Sequence, residues 1–219
     1  MNKTITIIWA FFALTVVSCN QKDGKLHNFD YGKFENGAYV NDYFNLKMSI
    51  PTDWHVLSQN QNDNLMNNSE KIISEENRAL QQAAETSKIT TVILLTASQY
   101  GLEVNDSIFN PNIMLIAENL EGSQKVNIPS DYLLMTKKAL LQDPTPKQYP
   151  FSSFQLKNIN GTDFSQMRVV NNVSENTSFT QDYFVTLVNG FALTYVLTYN
   201  SEIQREALEQ ILQTVKISN

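Results

Sequence analysis

Residues 180–198 read TQDYFVTLVNGFALTYVLT, two runs rich in β-branched and aromatic residues on either side of Asn189-Gly190. Asn-Gly readily takes the positive φ angles of a two-residue turn. The stretch therefore predicts a β-hairpin whose strands cover 180–188 and 191–198. A hairpin of this kind indicates an antiparallel sheet.

The segments on both sides of this hairpin extend the pattern. Upstream, Asn160-Gly161 separates the strand-like runs 153–159 and 162–170, which predicts a second hairpin. Downstream, a capping box begins at Ser201, and apolar residues at helical spacing follow it, which predicts a terminal amphipathic helix. Because one face of that helix is apolar, we expect it to lie on the sheet.

The first two thirds of the sequence add strands and helices. Alternation of apolar and polar residues, or a near-continuous apolar run, predicts a strand. A capping residue before an apolar stripe predicts a helix. An amide-rich run with few apolar side chains to bury predicts a mobile loop. The predicted strands are 38–40, 43–50, 89–97 and 113–117, the helices are 69–86 and 129–142, and the loop is 59–68. Together these elements predict a single α+β domain over 37–219, an antiparallel sheet covered by helices.

The start of the sequence has the pattern of an export signal. Residues 1–18 combine a short basic beginning with an apolar run that ends shortly before Cys19. A membrane-spanning helix needs about 20 apolar residues, so this shorter run is predicted to be a removed signal peptide. Residues 19–36 are polar and lack helical or strand periodicity, which predicts a flexible tether.

Residues 16–19, VVSC, resemble the lipobox of bacterial lipoproteins. The resemblance implies cleavage between Ser18 and Cys19 and diacylation of Cys19, the single cysteine of the sequence. Each buried methylene contributes about 0.8 kcal/mol, so such acyl chains hold a protein at a bilayer. We therefore expect a protein anchored to a membrane of the cell envelope, the outer membrane if the cell is Gram-negative, with its domain outside the cytoplasm.

A second resemblance covers roughly residues 38–217. An aromatic strand and turn at 39–46, YVNDYFNL, leads through a second strand to Pro51 and Trp54, and a hairpin with a final helix follows at 183–215. This order is similar to PsbP-like domains, which share a fold with the DcrB envelope lipoproteins and a Ran-binding import factor. The resemblance implies an αβα sandwich. It implies no particular activity, because one fold hosts many functions.

Catalytic and metal-binding signatures are weak in this sequence. Zinc sites need several converging ligands, and neither His27 nor His55 has a partner at ligand spacing. No Gly-x-Ser-x-Gly elbow and no glycine-rich phosphate loop occur. We therefore predict a protein without catalytic activity, cofactor or metal, and an envelope hydrolase with His55 as base is the enzymatic alternative.

The charge of the sequence argues against one class of binding partner. The formal net charge of −6 opposes nucleic-acid binding, which depends on basic patches. Two non-enzymatic functions stay open. The first is a protein-interaction or scaffold module that meets an envelope partner through its sheet face or the amide-rich loop. The second is a small-ligand binder with a cleft between sheet and helix near Trp54, Tyr132 and Tyr149.

Overall fold

The computed structural model describes residues 29–74, 91–103, 108–121, 126–141, 150–174 and 177–218. These residues contain eleven strands and three helices. The strands are β1 Lys33–Glu35, β2 Ala38–Asn41, β3 Leu46–Ser49, β4 His55–Val56, β5 Thr91–Ser98, β6 Asn112–Asn119, β7 Gln155–Ile159, β8 Thr162–Ser174, β9 Thr177–Val188, β10 Phe191–Tyr199 and β11 Lys216–Ile217. The helices are α1 Gln59–Ser74, α2 Pro129–Leu141 and α3 Glu202–Leu212.

The strands form two antiparallel sheets. The smaller sheet has the order β1-β2-β3-β11, and the larger has the order β4-β5-β6-β10-β9-β8-β7. Both predicted hairpins are present as neighbouring strands, β7 with β8 and β9 with β10. In both turns the Asn and the Gly have positive φ, at 50° and 87° for Asn160 and Gly161 and at 50° and 79° for Asn189 and Gly190. These are the angles that a tight hairpin turn requires.

Side chains alternate across the seven-stranded sheet, so it supports a core on each face. Ile113, Leu115 and Ala117 of β6 point into the core under α3 and the smaller sheet. Met114 and Ile116 point into the opposite core, which α2 covers. Fully burying a large aliphatic side chain contributes roughly 1.5–3 kcal/mol, so both layers are strongly held. This arrangement confirms the predicted α+β class. The prediction had one sheet, and the structure has a second, smaller one.

The fold begins earlier than the predicted domain boundary at residue 37. Phe29 and Tyr31 pack against the core beneath α3, and β1 pairs with β2. Gly32 has a φ of 73°, and a Cβ at this position would lie 2.5 Å from the Tyr39 hydroxyl oxygen. Residues 29–36 therefore belong to the domain and not to the tether. Isolated aromatic residues in a polar stretch give no periodicity, so their burial was not predicted.

The predicted mobile loop at 59–68 is wrong, because α1 begins at Gln59. Ser58 and Gln61 form a capping box, in which the Ser58 N–H donates to Gln61 Oε1 at 2.9 Å and the Gln61 N–H donates to Ser58 Oγ at 3.4 Å. The Gln59 side-chain amide donates to the carbonyl oxygen of Ile93 at 3.1 Å. Amide side chains thus cap the helix and satisfy a backbone group of β5. Part of the predicted helix 69–86 lies in α1, and its remainder, beyond Ser74, lies outside the described residues.

Candidate functional site

A cleft of about 810 Å³ lies at the end of the larger sheet where the β9–β10 turn meets the end of β6. It is lined by residues 29–30, 43, 119–121, 126 and 187–191. The Leu120 N–H donates to the Gly190 carbonyl oxygen at 2.9 Å, which joins β6 to the turn. The Asn189 side-chain amide donates to the Tyr43 carbonyl oxygen at 2.7 Å. These bonds fix three of the lining segments relative to one another.

One side of the cleft is an aromatic wall formed by Phe29, Tyr43 and Phe191. Ring centroids lie 5.8 Å apart for Phe29 and Phe191, 5.7 Å for Tyr43 and Phe191, and 6.3 Å for Phe29 and Tyr43. Phe44 is fully buried behind the wall and makes edge contacts with all three rings. Tyr43 remains 46% exposed, whereas Phe191 is only 6% exposed. The wall is therefore anchored in the core and still presents aromatic surface to a ligand.

Asp30 fixes the loop that carries Tyr43. One carboxylate oxygen accepts the Gly32 N–H at 2.8 Å, and the other accepts the N–H groups of Asp42 and Tyr43 at 3.1 and 3.2 Å. The Asp30 carbonyl oxygen also accepts the Asn41 side-chain amide at 2.8 Å. A carboxylate bonded by several backbone donors is held in one place. The segment before β1 and the loop before β3 thus form one rigid rim of the cleft.

The charge of the described lining is entirely acidic. Asp30 and Glu121 both line the cleft, and no lysine or arginine lines it among the residues that the structure describes. Leu120, Val126 and Leu187 supply an apolar side, because they pack against the core that α2 covers. The cleft therefore combines an aromatic wall, an aliphatic side and two carboxylates.

A second titratable feature joins β6 to α2. The Tyr132 hydroxyl donates to Glu118 Oε2 at 2.7 Å. Burial raises the pKa of Glu118 to about 7, and the hydrogen bond from Tyr132 opposes part of that rise. Neither residue lines the cleft. Sequence reasoning missed Glu118, because an acid near a strand end normally faces solvent and its burial depends on the helix that crosses it.

Two of the three predicted cleft residues, Trp54 and Tyr132, do not come together. Trp54 packs against the core under α3, whereas Tyr132 is buried in the core under α2, on the opposite face of the sheet. Tyr149 lies outside the described residues, as do Ser18 and Cys19. Trp54 and Tyr132 therefore lie on opposite faces of the seven-stranded sheet, and neither lines the cleft described above.

His55, the predicted base of the enzymatic alternative, does not line the cleft. His55 is exposed on β4, and His27 lies outside the described residues. Among the residues that the structure describes, no group of three or more His, Cys, Asp or Glu side chains is placed to hold a metal ion. The described helices include none with both the length and the apolar character to cross a bilayer.

The cleft itself was not predicted, although one local signal pointed toward it. Asn189-Gly190 predicted the turn, but the sequence does not show that the Asn189 side chain bonds to a loop 146 residues away. Phe29 and Asp30 fell in the stretch assigned to the tether. The aromatic wall is assembled from three separate parts of the chain, so only the tertiary fold reveals it.

Comparisons with known proteins support the fold. No protein-family model matches the sequence, and no curated protein matches it. The solution structure of cyanobacterial PsbP (CyanoP) from Synechocystis sp. PCC 6803 is similar, with a TM-score of 0.51, 10% identity, and coverage of 83% of this chain and 91% of that one. At this identity the likeness shows the fold alone, and it agrees with the PsbP-like fold that the sequence resemblance implied.

Two further solved structures match more loosely. LpqN of Mycobacterium tuberculosis, described as involved in cell envelope biogenesis, has a TM-score of 0.40 and 15% identity, with coverage of 80% of this chain and 83% of that one. A crystal structure from Bacteroides thetaiotaomicron VPI-5482 has a TM-score of 0.44 and 12% identity, with coverage of 85% of this chain. This chain spans 50% of the length of the Bacteroides chain.

Proposed function

We propose that the chain is a lipid-anchored cell-envelope protein without catalytic activity, and that its PsbP-like domain binds a protein partner through the cleft. The observation that carries the proposal is the aromatic wall of Phe29, Tyr43 and Phe191, which lines a cleft of about 810 Å³. Aromatic residues are enriched at protein interfaces because they bury large areas at a small entropic cost. The wall is held by Phe44 and by the Asp30 hydrogen bonds, so little ordering is needed on binding.

The position of Tyr43 favours a protein partner. Its side chain is 46% exposed at the surface opening, where a segment of a larger molecule reaches it without entering a closed cavity. Anchor residues of interfaces typically occupy such surface pockets, while neighbouring contacts exclude water. The partner that fits is therefore a protein that presents a side chain to the cleft.

A small ligand is the second candidate, and the size of the cleft favours it. The volume of about 810 Å³ falls within the roughly 300–1,000 Å³ that is typical of small-molecule sites. Such a ligand would occupy the same wall, so the two candidates differ in the mass and chemistry of the occupant and not in its location.

The membrane anchor of the proposal rests on Cys19 and its lipobox. Cys19 precedes Phe29, the first described residue of the domain, by ten residues. A fully extended chain spans at most about 3.3–3.6 Å for each residue, so Phe29 and the cleft that it lines would stay within about 35 Å of an acylated Cys19. An anchor at this distance keeps the cleft close to proteins of the membrane surface.

Site-specific photo-cross-linking tests the cleft. A photoreactive amino acid replaces Tyr43 in the full-length protein, in cells that naturally produce it, and the matched control carries it at Tyr100, which is 39% exposed and outside the cleft. We expect a defined protein adduct from position 43 and none from position 100. Equal adducts at both positions, or no adduct at either, would contradict the cleft as an interface. A small bound mass retained in native mass spectrometry, without a protein adduct, would favour the second candidate.

A separate experiment tests the anchor. Cys19→Ala should abolish incorporation of a clickable palmitate analogue and leave the unprocessed precursor, whereas the neighbouring Asn20→Ala should be labelled and processed normally. Gel mobility and in-gel fluorescence report both outcomes. Undiminished labelling of Cys19→Ala would refute the lipobox interpretation.

A further inference from the structure

The cleft places three kinds of surface around one space. Phe29, Tyr43 and Phe191 form the aromatic wall, Leu120 and its aliphatic neighbours form the apolar side, and Glu121 with Asp30 supplies negative charge. On the premise that the cleft is the binding site, we propose that its occupant is a polypeptide segment that inserts a lysine or arginine side chain. This inference deepens the proposed function by naming the chemistry of the partner.

The charge of the lining selects a cation. Asp30 and Glu121 are the only charged residues among those described in the lining, and both are acidic. Asp30 is held by three backbone N–H groups, so its carboxylate cannot turn away from the cleft rim without breaking those bonds. The whole sequence is also acidic, at a formal charge of −6, which attracts a basic partner from a distance.

The aromatic wall adds attraction for the same charge. A lysine or arginine cation near an aromatic face is attracted by the negative π surface, and the attraction grows as water is excluded. The rings of Tyr43 and Phe191 meet at 81°, with centroids 5.7 Å apart, so they form a corner and not a flat stack. Tyr43, at 46% exposure, is the ring of this corner that a cation reaches, and Phe191, at 6%, supports it from the core.

The apolar side argues for a long side chain over a compact cation. Lysine and arginine carry aliphatic stems that pack on apolar surface while the charged end reaches polar groups. Leu120, Val126 and Leu187 provide that surface within the same cleft that holds the two carboxylates. A free quaternary amine or a lipid headgroup has no comparable stem, so a polypeptide side chain uses more of the lining.

Peptide pools test the inference with the full-length protein in detergent. Four fluorescent nonapeptide pools share random neighbours and differ only in a fixed central residue: lysine, arginine, norleucine or citrulline. Norleucine keeps the stem of lysine without the ammonium, and citrulline keeps the shape of arginine without the charge. We expect the lysine and arginine pools to bind about tenfold more tightly than their neutral counterparts in fluorescence polarisation.

Matched variants assign the effect to the cleft. Glu121→Gln and Tyr43→Leu should each reduce the preference for the cationic pools by about three- to tenfold. Glu103→Gln and Tyr100→Leu, which change exposed residues outside the cleft, should leave it unchanged. Asp30 is left intact, because its carboxylate also holds the loop that carries Tyr43.

The outcomes separate this inference from the proposed function. Equal affinity for all four pools, or no binding of any pool, would refute the inference that the partner inserts a cationic side chain. A cross-link from position 43 would still support a protein partner. Displacement of bound peptide by choline at a concentration where free lysine has no effect would assign the cleft to a compact cation and overturn the polypeptide. If the control variants also lost the preference for the cationic pools, the inference would be refuted, because the preference would then not arise in the cleft.

Discussion

The partly buried contact between Glu118 and Tyr132 makes the stability of the domain depend on pH. Glu118 sits on β6 beneath α2 and accepts the Tyr132 hydroxyl at 2.7 Å. Glu118→Gln keeps an oxygen that can accept this bond and removes the ionisable group. The variant therefore separates the cost of a buried charge from the contribution of the hydrogen bond.

The size of the effect follows from the pKa of Glu118. Burial raises it from the ordinary value of 4.5 to about 7 in the folded protein. Between these two pH values the folded state binds the proton more tightly than the unfolded chain, so the stabilising contribution is complete below about pH 4.5 and is lost as the pH rises to about 7. At 1.36 kcal/mol for each pH unit, the loss reaches about 3 kcal/mol.

Equilibrium urea unfolding at pH 4 to 8 measures this loss in a polypeptide of residues 20–219. We expect Glu118→Gln to match the parent protein at the acidic end and to exceed its free energy of unfolding by up to about 3 kcal/mol at pH 8. Glu103→Gln, an exposed carboxylate, should follow the parent curve throughout. Parallel curves for Glu118→Gln and the parent protein would refute the reasoning, because the buried carboxyl would then carry no proton-linked cost.

Two further substitutions test other contacts. Arg168→Met should lower the free energy of unfolding by about 3 kcal/mol, because the fully buried Asp182 would keep, among the described residues, only the Tyr199 hydroxyl as a side-chain donor. Adding Asp182→Leu should recover most of the loss. Urea unfolding checks it, and an Arg168→Met protein as stable as its parent would count against the ion pair. Ser58→Ala should cost about 1 kcal/mol through loss of the α1 cap, while Asn60→Ala, at an exposed position of the same helix, should cost clearly less. Equal losses in the same assay would contradict the capping box.

Local signals in the sequence predicted most of the strands and helices. The hairpin at Asn189-Gly190 was predictable because two adjacent residues set its turn geometry. The beginning of α1 at Gln59 was missed, although Ser58 and Gln61 have capping-box spacing, because the amide-rich composition of the segment favoured a loop. Here the capping pair was a better guide to the start of the helix than the composition of residues 59–68.

The site could not be predicted in the same way, since its parts are far apart in the sequence. Phe29, Tyr43 and Phe191 give no shared pattern, and only the packing of the N-terminal segment against β10 brings them together. The environment of Glu118 likewise depends on α2, from which the Tyr132 hydroxyl donates to the carboxylate at 2.7 Å and opposes part of the rise in pKa that burial causes. Properties that arise from contacts between distant segments need the fold before they can be read.

Phe29 is both a wall of the cleft and the first described residue after the stretch that leads from Cys19. If Cys19 is acylated, the cleft explores only the thin layer within about 35 Å of its anchor point. Confinement of this kind gives a membrane-bound partner within reach an effective concentration in the millimolar range. For as long as such a partner stays within reach, a contact with a dissociation constant near one millimolar would be about half occupied, although the same pair would scarcely associate when both were diluted in solution.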